Sequence, residues 1–208
     1  DDKVLTSWNG LALAACARAG FILDEEKYVE RATAGLEFLL DEMVEDGELY
    51  HTHRDGKTHT PAFLDDYAFL VKAMLEVFQV TGDFEWLDRA EEDFERAVDV
   101  FWDDDDGGFF FASDRHENLI VRSKNPQEQA EPSGNSEMVM NALKLRSLLD
   151  EDGYRVYAEQ TLKAFEGNLE ESALSMTRLL CGLHDYYADS VEVVSIEDDE
   201  RAELVDPL

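Results

Sequence analysis

Two adjacent carboxylates, Asp65 and Asp66, open an apolar stretch in this chain. They stand at the first turn of a predicted helix, where the partial positive charge of the helix end favours negative groups. Neighbouring helical positions point about 100° apart, so one carboxylate can face a cavity while the other caps or pairs. A carboxylate facing a cavity suits general acid or base work on a sugar. Two capping aspartates in an acid-rich protein are the competing reading. His51 and His53 form a second candidate group. They alternate with Tyr50, Thr52 and Arg54 ahead of Asp55-Gly56, the signature of a two-residue hairpin turn. That register sets His53 against Thr58 and His51 against Thr60, with His59 against Thr52 on the other face. The three histidines therefore do not converge, and a metal site would need a ligand from elsewhere. Proton transfer by His51 or His53 over a cavity mouth competes with exposed histidines on a polar strand.

Further polar and aromatic residues sit where they can hold a substrate. Trp8 and Asn9, Tyr67, and Ser133 and Asn135 combine aromatic faces with amide and hydroxyl groups, which suits the apolar face and many hydroxyls of a sugar or polyol. Against this, Trp8 can pack between helix ends and Ser133 can be an N-cap. Arg122 is one of few basic groups and can hold a carboxylate or phosphate, or neutralise nearby acids. The run Asp103-Asp104-Asp105-Asp106 lacks the alternating acids and distal Glu of a calcium loop and reads as a solvated helix end. No metal and no cofactor is assigned.

The elements that must position these groups follow from periodicity. Polar phrases recur before alternate helices: Thr6-Ser7-Trp8-Asn9-Gly10, Leu64-Asp65-Asp66-Tyr67, Pro132-Ser133-Gly134-Asn135-Ser136 and Glu171-Ser172-Ala173-Leu174-Ser175. Residues 11–19 are apolar nearly all round, as in a buried helix, with Thr6 or Ser7 as cap and Gly20 at its end. Residues 24–44 and 84–102 are amphipathic outer helices, and 65–80 is an inner one. Residues 133–149 and 154–169 make a third pair, and 172–187 a seventh, unpaired helix. Hairpins are expected over 47–63 and 109–123, with an irregular loop at 124–132 between the second hairpin and the third pair. The predicted class is all-α: a partial α/α toroid over 1–189 with two small β-hairpins, whose inner helices aim their first turns into one cavity. Residues 190–208 are expected as a strand and an acidic tail.

Apolar residues make up 44% of the chain, enough for a sizeable core, and the formal net charge is −31. The acidic surplus is spread along the whole length. Such a surface repels itself at low salt, and at molar salt a Debye length of about 3 Å screens most of the penalty. The expected setting is a salt-rich cytoplasm, as in salt-accumulating halophiles. Nucleic acid and anionic membranes are poor partners for this field. Cys16 and Cys181 lie apart in apolar helical stretches and read as buried side chains, not as a redox or metal pair. The start at Asp1-Asp2, without Met and almost directly on a helix, reads as a cut inside a longer protein.

Three stretches, in the same order, resemble one family. They are Asp2-Lys3-Val4-Leu5-Thr6-Ser7-Trp8-Asn9-Gly10-Leu11, Phe63-Leu64-Asp65-Asp66-Tyr67-Ala68-Phe69-Leu70, and Gly107-Gly108-Phe109-Phe110-Phe111 followed by Pro132-Ser133-Gly134-Asn135-Ser136. Together they resemble the C-terminal part of the YyaL / spermatogenesis-associated protein 20 family. That resemblance implies a toroid of the six-hairpin glycosidase type, joined in the full-length protein to a thioredoxin-like domain that this chain lacks. It also implies that the first hairpins of the ring are missing, so self-association through the open ring is expected. The wider toroid superfamily holds glycoside hydrolases, lyases and sugar epimerases. Before the Ser-Gly-Asn-Ser phrase the family tends to show Asp-Gly-Ala, where this chain has Glu128-Gln129-Ala130. Two functions are left open: a carbohydrate-active domain of glycoside hydrolase or sugar epimerase type, or a non-catalytic scaffold for the thioredoxin-like domain.

Overall fold

The computed structural model describes residues 2–114, 116 and 122–188. Its helices are α1 (Thr6–Leu23), α2 (Glu26–Glu42), α3 (Leu64–Thr81), α4 (Phe84–Phe101), α5 (Gly134–Leu149), α6 (Gly153–Ala164), α7 (Glu166–Ser172) and α8 (Thr177–Tyr187). The strands are β1 (Val4–Leu5), β2 (Val44–Glu45), β3 (Glu48–Arg54) and β4 (Lys57–Pro61).

The amphipathic pattern of α4 explains its place. Asp83 caps it by accepting from the Glu85 N–H, and Trp86, Ala90, Phe94, Ala97 and Phe101 form its buried stripe. That stripe packs on α3, which is the hub of the fold. From Ala68 to Leu75 every α3 residue except Lys72 is buried, because α1, α2, α4 and α5 all pack around it. Gly10 permits the close approach of α1 to α3: a Cβ there would lie 2.8 Å from the Phe69 carbonyl carbon. α1, α3, α5 and α8 take the inner positions, and α2, α4 and α6 the outer ones. α8 packs on α5 and α6.

The first hairpin folds as its turn residues dictate. β3 pairs antiparallel with β4 across Asp55-Gly56, with His53 opposite Thr58 and Thr52 opposite His59. β1 adds to β3 through Val4–His53 and Leu5–Thr52, and β2 through Val44–Leu49. The small sheet thus ties the start of α1 to the approach of α3. Of the second expected hairpin, Phe109 bridges Trp102 and the Phe111 N–H donates to the Ser123 carbonyl. Much of its turn and returning strand (115, 117–121) lies outside the described residues, as do the expected strand and tail over 190–208.

Four expectations about helices are corrected. α1 is not buried all round: Trp8, Ala12, Ala15 and Arg18 form an exposed stripe, and Phe21, Ile22 and Leu23 are exposed at its end. It also runs past Gly20 to stop on Asp24, which takes the left-handed conformation that ends many helices. The helix expected over 154–169 breaks at Phe165, whose side chain turns into the core ahead of the weak helix formers Gly167 and Asn168. The last inner helix starts at Thr177, not at 172, because a 3₁₀ turn at Ala173–Ser175 and the buried Met176 intervene. Cys181 is exposed and Cys16 half-buried, so neither is a core cysteine.

Candidate active site at the first turns of the inner helices

The first turn of α3 sends its two carboxylates to different neighbours. Asp66 points toward α1 and the hairpin and is fully buried. Its Oδ1 accepts from the Ser7 N–H (2.9 Å) in the first turn of α1, and its Oδ2 from the Phe63 N–H (2.9 Å) just before α3. His51 Nδ1 lies 3.0 and 2.9 Å from the two oxygens. The hydrogen bond to Asp66 raises the His51 pKa above the usual imidazole range, against the effect of burial. Asp65 points the other way, toward α5. Its Oδ1 accepts from the Gly134 N–H at 2.8 Å. A Cβ on Gly134 would collide with that same oxygen, so glycine is what lets the start of α5 come so close. Burial, and then repulsion from Glu131, push the Asp65 carboxyl up to about 7, and the bond from Gly134 only partly offsets them.

Cross-hairpin capping is the rule here. Neither Thr6 nor Ser7 caps α1; the cap comes from Asp66, while the Thr6 hydroxyl donates to the Tyr50 carbonyl. Glu128 does the same for α8, accepting from the Arg178 N–H at 2.8 Å, from the Leu179 N–H at 3.3 Å and from the Thr177 hydroxyl at 2.9 Å. Ser133 does cap its own helix, accepting from the Ser136 N–H.

Around Asp65 the surface opens into a cleft with two lobes of about 540 and 490 Å³ that share Trp8, Asp65, Phe111 and Glu131. His51, Asn9, Phe63 and the edge of Asp66 line the first lobe. Ser133 and the loop from Gln127 to Pro132 line the second. Phe63 stacks on Phe111 (4.9 Å between centroids) and on His116 (4.5 Å), and His51 meets Phe63 edge-on. Trp8 stands 62% exposed over this cleft.

The structure therefore gathers Asp65, Asp66, His51, Trp8, Asn9 and Ser133 and leaves four of the expected residues elsewhere. Tyr67 is buried edge-on to Phe101, because it follows Asp66 onto the core side of α3. Asn135 is buried and clasps the Phe109 backbone, accepting from its N–H at 2.8 Å and donating to its carbonyl at 2.9 Å. Arg122 donates to the Ala112 and Val100 carbonyls and lies over the Phe110 ring. His53, on the same strand face as His51, leans on Phe38 and Glu42, a full residue pair further along the strand. Trp8 and Asp66 border the cleft, whereas Asn135, expected with them as a substrate contact, does not. Sequence reasoning missed Glu131, Phe63 and Phe111. The available signal was positional: Phe63 and Glu131 stand just before the first turns of α3 and α5.

No protein-family model matches the chain. It is 30% identical over 214 residues to an uncharacterised Caenorhabditis elegans protein, covering 99% of this chain and 29% of that one. It is 31% identical over 194 residues to spermatogenesis-associated protein 20 of Rattus norvegicus, covering 88% of this chain and 25% of the relative. The chain is a homologue of part of spermatogenesis-associated protein 20. It spans only a quarter to three tenths of the length of these relatives. Solved structures share the fold of this chain. A GH76 α-mannanase of Bacteroides thetaiotaomicron superposes with a TM-score of 0.70 at 19% identity, over 89% of this chain and 52% of that chain. The cellobiose 2-epimerase of Spirochaeta thermophila superposes with a TM-score of 0.61 at 20% identity, over 78% and 43%. The fold is that of the six-hairpin α/α toroids, and the chain matches about half of each. Among the described residues no helix is long and apolar enough to cross a membrane.

Proposed function

We propose that this chain is a carbohydrate-active toroid domain that binds a sugar or polyol in the two-lobed cleft. In this reading Asp65 is the general acid and His51, oriented by Asp66, the base. The observation that carries it is the contrast between the carboxyl groups. Asp66 is consumed by three donors, whereas the second oxygen of Asp65 meets no donor among the described residues and the carboxyl borders an open cleft at a pKa near neutrality. An acid that holds its proton near pH 7, beside a histidine poised to accept one, suits hydrolysis of a glycosidic bond or epimerisation at a sugar carbon. Trp8 and the Phe63–Phe111 stack supply apolar faces, and Asn9 and Glu131 polar groups. The superposing mannanase and epimerase support a sugar-processing reading.

The second reading is a scaffold for a thioredoxin-like domain of the same full-length protein. Cross-hairpin capping favours it, since Asp65, Asp66 and Glu128 all hold the ends of other helices. A nuclear magnetic resonance titration of the chain with mannose, cellobiose and mannitol separates the two. The enzyme reading expects saturable shifts at the Trp8 indole and at neighbouring cleft amides for at least one probe, with the affinity read from those amides weakened about tenfold in Trp8→Ala. Absence of any saturable shift at Trp8 favours the scaffold.

A further inference from the structure

Residues of α1, α3, α5, α6 and α8 line a second cavity, of about 460 Å³, whose chemistry is opposite to that of the cleft. In a chain with 49 acids and 18 Lys and Arg, six of those cations line this one cavity: Arg18, Lys72, Lys144, Arg146, Arg155 and Arg178. Among the described residues three carboxylates line the cavity with them, and a fourth, Asp152 outside its lining, pairs with Arg146 at 2.9 Å. Glu137, buried in α5, accepts from Lys72 at 2.8 Å and from Arg178 at 2.7 and 2.8 Å, so two cations share one anion. Lys144 pairs with Glu76 at 3.0 Å. Asp185 is the third. Arg155 lies over the Tyr186 ring, and Arg18 has no ion-pair partner among the described residues. The excess of positive charge is felt inside the cavity: burial, and also Lys72 and Arg18, pull the Lys144 pKa below its usual range despite Glu76.

The cavity lies on the same helix stripes as the cleft. Asp65 and Lys72 are seven residues apart on α3, as are Leu11 and Arg18 on α1, so each pair shares a face about 10 Å apart along the axis. Cations from α1, α3, α5, α6 and α8 converge from several sides. A flat carboxylate is satisfied by one forked guanidinium, whereas a tetrahedral dianion uses donors from several directions. We propose that this cavity is an oxyanion site whose ligand is a small phosphate-bearing molecule. The assignment goes beyond the sugar reading and does not depend on it.

The test uses the full chain titrated calorimetrically with inorganic phosphate at ionic strength held constant with potassium chloride. Saturable one-to-one binding is expected. Arg18→Gln removes a cation with no ion-pair partner among the described residues and should weaken binding about tenfold or more, the worth of one charge-assisted contact. Arg18→Gln with Arg155→Gln should weaken it further, while Asp65→Asn leaves it unchanged. Circular dichroism melts establish that each variant is folded. Three results overturn the proposal: no saturable phosphate binding to the wild type, equal affinity in the double variant, or malonate binding tighter than phosphate, which would make the site a carboxylate pocket. Loss of sugar shifts at Trp8 with phosphate binding intact would sink the enzyme reading alone.

Discussion

The two flanks of the first turn of α3 differ by one residue in sequence and by almost everything in chemistry. On the α1 flank, Asp66 sits with zero exposure and meets two backbone N–H groups and an imidazole. On the α5 flank, Asp65 meets one N–H, faces Glu131 and borders a cleft. Burial alone raises the pKa of a carboxyl; donors lower it. The lesson is that the donors each carboxylate meets decide which of an adjacent pair is tied into the helix ends and which is left facing the cleft.

The strongest way to break that contrast is to remove the donor-rich partner. Asp66→Ala leaves the Ser7 and Phe63 N–H groups without their acceptor at the floor of the cleft and frees His51. A buried donor without a partner costs about 1–3 kcal/mol, so the loss of stability should be about 3–4 kcal/mol. Asp66→Asn also loses stability, because its amide must face one of the two N–H donors. Urea unfolding midpoints measure both. A loss under 1 kcal/mol for Asp66→Ala would mean that the α1 flank is not held by this carboxylate.

On the α5 flank the sign reverses. The Asp65 carboxyl titrates at about 7 in the folded state and from an ordinary value of 3.8 in the unfolded chain. Its contribution to stability is therefore fully present below pH 4 and is lost as pH rises through 7. Asn in its place still accepts from Gly134 and carries no charge. Asp65→Asn should accordingly match the wild type at pH 4 and exceed it at pH 8. Three pH units correspond to about 4 kcal/mol, and the half-open position of Asp65 reduces the expected gain to about 2 kcal/mol. A variant less stable than wild type at pH 8 would show that Asp65 is a capping carboxylate like its neighbour.

Much of this architecture is legible from periodicity. The stripe of α4, the Asp55-Gly56 turn and the Ser133 cap of α5 each follow from local rules that the structure obeys. The helix pairing follows from them too, since short connections leave little choice of neighbour. What was not legible is tertiary. Tyr67 and Asn135 stand in the same motifs as the cleft residues, but the rotation of their helices turns them to the core and to the Phe109 backbone. Glu128 and Asp66 cap helices far away in sequence, which no local cap rule can foresee. The closeness of Asp65 to α5 depends on a missing Cβ at Gly134, and its raised pKa on Glu131 in a loop without periodicity.

The finest probe of the contrast is His51, which belongs to the Asp66 flank but looks into the cleft. Its folded-state pKa is raised, chiefly by the hydrogen bond to Asp66. A raised imidazole contributes stability that is fully present below its unfolded value of about 6.5 and is lost as pH climbs through the folded value. The neutral ring still donates through Nδ1, so only the charge-dependent part disappears. His51→Gln keeps a donor for Asp66 and removes the charge. The stability gap between wild type and His51→Gln should therefore be larger at pH 5.5 than at pH 8.5, in denaturation curves at one salt concentration. A gap that stays constant across that range would place the imidazolium away from Asp66. It would leave the cleft with a titratable acid and no oriented base, so that proton donation by Asp65 alone would have to carry any chemistry.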